Sequence, residues 1–356
     1  MSGKFAICAA AFAVIALLPL QAPLAQTAPA GATRSEINTS AFNDLRVRFL
    51  QSRFKSLLDK SGAYAGAVCL AENGNVLLAK SFPESPGANA QTFPLGKSSA
   101  ALSTLAAAAM QKEGKLNLKE SVSSFCSYFR LSGSASRASL EQVWSGEYGF
   151  DEHADSLVPQ DASAAELFDI AAQIPPTAQA GINSSKLAPA LAGYALGYIA
   201  DKSQKNFKKS FVKTVHNYVF SPLKMDGVKY RAFDSPLFAA TAFALAANDT
   251  AKWLACETDP SPKIATAQLI SERRKPSGKE KKFSMGWIKT SKGKTEFSMC
   301  GDYFQNCANI VAVFADGKIA AAFFAKSQDQ KSASQACADG LSLLIEMLQN
   351  PAPHSK

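Results

Sequence analysis

Histidine is scarce in this 356-residue chain, which has three: His153, His216 and His354. None is spaced from another histidine or a cysteine as zinc ligands are, and there is no C-x-x-C pair, so no zinc site is expected. Nothing else in the sequence calls for a metal or cofactor. Beyond residue 20 no apolar run approaches the roughly 20 residues a bilayer span needs, so no membrane span is expected in the mature chain. Internal repeats are missing, which excludes a repeat array. Acids are outnumbered by bases, 29 to 38, for a net charge of +9. That charge is spread out: Lys202, Lys205, Lys208, Lys209 and Lys213 recur at helical spacing, and residues 273–282 form a charged loop. No aromatic platform or basic groove accompanies it, so nucleic acid is not an expected partner.

The amino-terminal residues read as a processing segment rather than as fold. Lys4 supplies one positive charge, residues 5–20 are apolar, and small residues follow at 22–25 and 28–30. This is the pattern of a secretory signal peptide, residues 1–25, with a cut near Ala25 or Ala30. Residues 26–40, rich in Ala, Pro, Gly, Thr and Ser, form a disordered leader. Export to the periplasm is therefore expected; the mature charge near +8 reads first as solvated faces, with attraction to anionic envelope polymers as the alternative. Removing Cys8 leaves Cys69, Cys126, Cys256, Cys300, Cys307 and Cys337, which in an oxidising compartment permit up to three disulfides. Cys300 and Cys307 close the shortest loop and are the first candidate pair.

Ser40 can cap a helix in which Phe42, Leu45, Phe49, Leu50, Phe54, Leu57 and Leu58 form one stripe, and Gly62 ends it. Two β-prone runs, 63–71 and 76–82, flank Asn73-Gly74, a strong hairpin signal because both residues tolerate positive φ. An alanine-rich helix over 99–113 stops at Gly114. Residues 119–256 read as helical, with amphipathic stretches at 164–173, 186–201, 207–219 and 237–255, and no strand is expected there. Strands return at 283–290, 296–299, 309–314 and 318–325, the last two around Asp316-Gly317, before a final helix over 332–348. The order predicts an α/β (α+β) fold. An antiparallel sheet lobe, residues 41–96 plus 281–350, is flanked by N- and C-terminal helices, and a mainly helical lobe, 97–280, is inserted between.

Several segments resemble the serine β-lactamase and DD-peptidase (penicillin-binding-protein-like) superfamily, most closely its class C β-lactamase branch. Phe93-Pro-Leu-Gly96-Lys97-Ser98-Ser99-Ala100, followed by Met110-Gln111 and Glu113-Gly114-Lys115-Leu116-Asn117-Leu118, resembles the family phrase F-R-I-G-S-V-S-K leading into M-Q-L-V-E-E-G-K-L-D-L. The glycine-to-glycine spacing matches without a gap. Residues 139–150, 220–225, 248–254 and 285–287 resemble T-I-R-H-L-L-T-H-T-S-G-L, F-D-P-L-G-M, S-A-R-D-L-A-R-F and Y-G-L-G-W, in family order. The resemblance implies an acyl-enzyme chemistry: a serine at the amino end of a buried helix, with a lysine three residues on and therefore on the same face.

The residues that would carry that chemistry are missing. In the gapless register Lys97 stands at the serine position and Ala100 at the lysine position. Ser98 and Ser99 are followed three residues on by Ala101 and Leu102, neither able to move a proton, and both serines read as helix-capping residues. The family's tyrosine falls at Ile182, beside Asn183 and Ser184, and its Lys/His-Thr-Gly triplet falls at Met299-Cys300-Gly301. Lys97, Ser98, Ala100, Ile182, Asn183, Ser184, Met299 and Gly301 thus line a vestigial pocket with no catalytic residue assigned. Gly301 would still let a ligand backbone approach the strand. Lys97, with free backbone N–H groups at a helix amino end, could hold a carboxylate, so an anionic peptide of the peptidoglycan type is a candidate ligand, beside the readings of no ligand or of a different interaction surface. The expectation is an exported, catalytically inactive binding or structural protein, and the alternative is an active serine hydrolase (β-lactamase, DD-peptidase or esterase) using Ser98, Ser99 or another serine. No oligomeric state follows from the sequence.

Overall fold

Asn43 caps the first helix, its side chain accepting from the Arg46 N–H at 3.1 Å. The computed structural model describes residues 42–83, 90–178, 185–202, 206–231, 234–259, 261–277, 282–314 and 317–350. The segments read as signal peptide and leader, Ser40, and the Ile182, Asn183 and Ser184 trio lie outside the described residues. Helix α1 (Asp44–Ser61) buries Leu50, Phe54 and Leu58 and ends at Gly62 in the left-handed region, which a residue without Cβ enters at no steric cost.

The chain then forms the expected hairpin of β1 (Ala65–Glu72) and β2 (Asn75–Phe82), with Asn73 and Gly74 both at positive φ. Strand β3 (Thr92–Pro94) leads through a tight 3₁₀ turn, Gly96–Ser98, into α2 (Ser99–Lys112). Helices α3 (Val122–Phe125) and α4 (Leu140–Trp144), strand β4 (Tyr148–Gly149), α5 (Ala164–Gln173), β5 (Thr177–Ala178), α6 (Leu187–Ala200) and α7 (Phe207–Val215) follow. Next come β6 (Lys229–Tyr230), β7 (Phe243–Ala246), α8 (Ala247–Thr258) and α9 (Ala267–Glu272). The C-terminal part supplies β8 (Phe283–Ser284), β9 (Trp287–Lys292), β10 (Thr295–Phe304), β11 (Cys307–Phe314), β12 (Ile319–Lys326) and α10 (Gln330–Gln349).

Both chain ends build one antiparallel sheet of seven strands, ordered β2-β1-β12-β11-β10-β9-β8. Its central strands are buried on both faces, and their side chains alternate between two cores as a period of two requires. Val68, Leu70, Ile310, Ala312, Ala321 and Phe323 pack with α1 and α10 on one face. Ala67, Cys69, Val311, Val313, Ala322 and Phe324 join a second core with α2 and the inserted lobe. Helix α2 is buried from Ser99 through Met110, and its run of alanines lets neighbours approach closely from every side.

Three expectations are corrected. The 119–256 block does contain short strands: β4 pairs with β5, and β6 and β7 form a small sheet with β3. The stretch read as one helix over 237–255 is a 3₁₀ turn, strand β7 and then α8. A buried four-residue apolar run carries no period that separates strand from helix. The Cys300–Cys307 disulfide is also overturned, because all six described cysteines are free and buried. Residues 300–307 are not an open loop. They form a hairpin turned by Gln305 and Asn306, both at positive φ. In its ladder Cys300 faces Val311 while Cys307 faces Phe304, four strand positions away, or roughly 13 Å, far beyond the separation a disulfide can bridge.

Candidate functional site

The cleft lies where the head of α2 meets the sheet edge. Gly96 turns the chain at φ +55°, and a Cβ there would sit 2.2 Å from Asp302 Oδ2, so only glycine lets this carboxylate reach the turn. Asp302, on β10, accepts the Lys97 backbone N–H on Oδ2 at 2.8 Å and the Tyr303 N–H on Oδ1 at 2.9 Å. Burial raises its pKa above the usual carboxylate range, opposed by the Lys97 N–H and by the charges of Lys97 and Lys186. The anion at the helix head is therefore internal. This corrects the expectation of free backbone donors beside Lys97: the Ser98 N–H is also taken, by Leu95 O at 3.1 Å.

Neither serine caps α2 with its side chain, contrary to the sequence reading. Ser98 is 1 % exposed and donates its hydroxyl to Asn309 Oδ1 at 2.8 Å. Asn309 Nδ2 in turn donates to Leu95 O and Pro94 O at 3.2 and 3.3 Å, which ties β11 to the chain entering the helix. Ser99 Oγ accepts the Phe243 N–H at 3.3 Å, tying the same helix to β7. The two hydroxyls act as tethers to two different sheets.

Lys97, Ser98 and Ala100 form one wall of the cleft, with Cys300 and Gly301 of β10 opposite and Trp144 and Pro189 from α4 and α6 at its end. Gly286 and Ile288 complete its lining. Gly286, at φ +77°, lies under the helix head, where a Cβ would come within 2.9 Å of Ala101 N. Below it a buried ion cluster holds the helix: Arg273 donates to Ala101 O and Thr104 Oγ1, both at 2.9 Å, and to Glu257 Oε1 at 2.6 Å. Glu257 also engages Arg274 and accepts from Trp253 Nε1. Burial alone would push the Glu257 carboxyl up, but the two guanidiniums hold it below its ordinary range.

Searches by sequence found neither a matching family model nor a matching curated protein. Solved structures do match. A class C β-lactamase from Rhodobacter sphaeroides superposes with a TM-score of 0.63 at 13 % identity, over 83 % of this chain and 99 % of that one. A β-lactamase/D-alanine carboxypeptidase from Yersinia pestis complexed with citrate gives 0.65 at 13 %, over 86 % and 100 %. The fold is that of the serine β-lactamases and penicillin-binding proteins. A D-amino acid amidase from Ochrobactrum anthropi SV3, complexed with D-phenylalanine, shares this fold as well, with a TM-score of 0.64 at 14 % identity over 85 % and 99 %.

Within this β-lactamase fold the structure brings together Lys97, Ser98, Ala100 and Gly301 of the residues singled out in the sequence. Lys97 and Ala100 share one wall, as an i, i+3 pair should. Met299 does not join them. It is buried on the opposite face of β10, in the core beneath α1 and α10, and its neighbour Cys300 faces the cleft instead. Gly301 has a local reason to be glycine, since a Cβ there would stand 2.6 Å from Asn309 O across the ladder. Burial pushes the Cys300 thiol up to about 12, opposed by the Ser98 hydroxyl, away from the thiolate form a nucleophile needs.

Asp302, Asn309 and Trp144 were not anticipated. Asn309 carries a readable signal, being the one polar side chain in an otherwise apolar, buried strand run.

Proposed function

We propose that this chain is a catalytically inactive protein on the β-lactamase fold, exported to the periplasm, where it serves a binding or structural role in the envelope. The observation that carries this reading is the head of α2. Lys97 and Ala100 occupy the cleft wall where the resemblance calls for a serine and its lysine. The nearest hydroxyl, Ser98, is committed to Asn309. Acyl transfer needs a hydroxyl whose proton an adjacent base can accept, and an amide oxygen is not such a base. If an anionic peptide of the peptidoglycan type enters this cleft, side-chain ammonium groups rather than backbone amides must receive it, because Asp302 already holds the Lys97 N–H. Lys97, which lines the cleft, is the group assigned to that contact.

The test is intact mass after incubation with a fluorescent penicillin and, separately, a fluorophosphonate. The expected result is an unmodified chain with both reagents. A stoichiometric adduct on Ser98, Ser99 or another serine would restore the serine-hydrolase alternative. For the ligand, Lys97→Ala should weaken binding of anionic peptidoglycan fragments, and an unchanged affinity removes that assignment.

A further inference from the structure

The outward face of α1 carries an apolar pair in its first two turns and bases along its borders. Leu50, Phe54 and Leu58 turn into the core, whereas Leu45 and Phe49 on the other side are 75 % and 49 % exposed. Four residues apart, they stand one above the other on the helix surface. Arg48 and Lys55 run along one border of this stripe and Arg53 along the other, all exposed. The Arg53 guanidinium lies over the Phe49 ring, 5.9 Å from its centroid. Asp44 and Asp59 are the only acids in the helix against five bases, and Asp59 is engaged by Lys55 at 2.7 Å.

We propose that this face of α1 docks peripherally on an anionic phospholipid bilayer. An apolar pair flanked by arginine and lysine is the arrangement that lies in a headgroup layer, with the apolar side chains entering the acyl boundary and the cations meeting lipid phosphates. A second copy of the chain fits less well, because a face-to-face pairing would set Arg48 and Arg53 against the same cations. The proposal rests on the envelope location proposed above and not on the state of the cleft, so acyl labelling and lipid docking can fail separately.

The experiment places an environment-sensitive dye at Ser52→Cys, on the same exposed face, in a Cys8→Ser background. The six other cysteines are buried and stay unlabelled in the folded protein. With vesicles of equal parts phosphatidylglycerol and phosphatidylcholine, the dye should shift to the blue and be quenched by nitroxide-labelled lipid. Phosphatidylcholine alone should give neither effect, and added salt should reverse both. Leu45→Ser with Phe49→Ser should lower the dye-reported partitioning about tenfold or more. A dye that stays in water on the anionic vesicles overturns the proposal, however firmly the rest of the chain binds. So does a concentration-dependent dimer that shields the dye without lipid and is lost in the double variant.

Discussion

Replacing Asp302 by alanine tests whether the head of α2 is sealed from within. The side chain accepts two backbone N–H groups, from Lys97 and Tyr303. Each such bond contributes about 1 kcal/mol net, and an anion at a helix amino end adds about 0.3–1 kcal/mol. Relief of the burial that raises its pKa offsets part of this, leaving a cost of about 2 kcal/mol for Asp302→Ala and about 1 kcal/mol for Asp302→Asn, read as shifts in urea midpoint at constant m. The sign of the pH dependence follows from the raised pKa. Between the unfolded value, near 3.9, and the higher folded value the native state binds the extra proton, so the Asp302 contribution is fullest below that window and declines as pH climbs through it. The stability gap between wild type and Asp302→Asn should therefore be wider at pH 4 than at pH 7. Formate or acetate should raise the melting temperature of Asp302→Ala by filling the vacated position and leave the wild type unmoved. A cost below about 0.5 kcal/mol, or equal carboxylate effects on both proteins, would refute the reasoning.

Further predictions concern the supports of the cleft. Glu257→Ala strands Arg273 and Arg274 in the interior and should cost about 3–5 kcal/mol by chemical denaturation, far more than Lys55→Ala at the exposed Asp59 pair. Asn309→Ala removes the acceptor of Ser98 and the donor to Leu95 and should cost about 1–3 kcal/mol, without creating penicillin reactivity. Gly96→Ala, which sets a methyl against Asp302 at positive φ, should lose at least 1 kcal/mol, and Asp302→Ala in the same chain should recover part of it. A thiol reagent at pH 8 should find Cys69, Cys126, Cys256, Cys300, Cys307 and Cys337 unreactive in the native protein and all reactive in urea, with no disulfide in the non-reduced digest.

The sequence was most legible where local chemistry decides conformation. Asn73-Gly74 announced the first hairpin, and Gly62 and Gly114 mark helix ends at positive φ. The family phrase around Lys97 located the head of the central helix, because its glycine spacing reflects a length that packing fixes. Legibility fell where non-local contacts decide. Ser98 and Ser99 had the composition of caps, but their hydroxyls were claimed by strands more than a hundred residues away in sequence. Met299 was placed in the pocket by alignment, yet in a strand a one-residue offset exchanges the two faces. Cys300 and Cys307 were close in sequence, and the hairpin between them set their side chains apart along the ladder.

Six thiols enclosed in the two cores have a consequence for how the protein can be made. With none of these six paired, the covalent connectivity of the described residues is the same in reducing and in oxidising surroundings, and their fold needs no thiol oxidase or disulfide isomerase. Production without residues 1–25 should then give the same tertiary structure in a reducing as in an oxidising compartment.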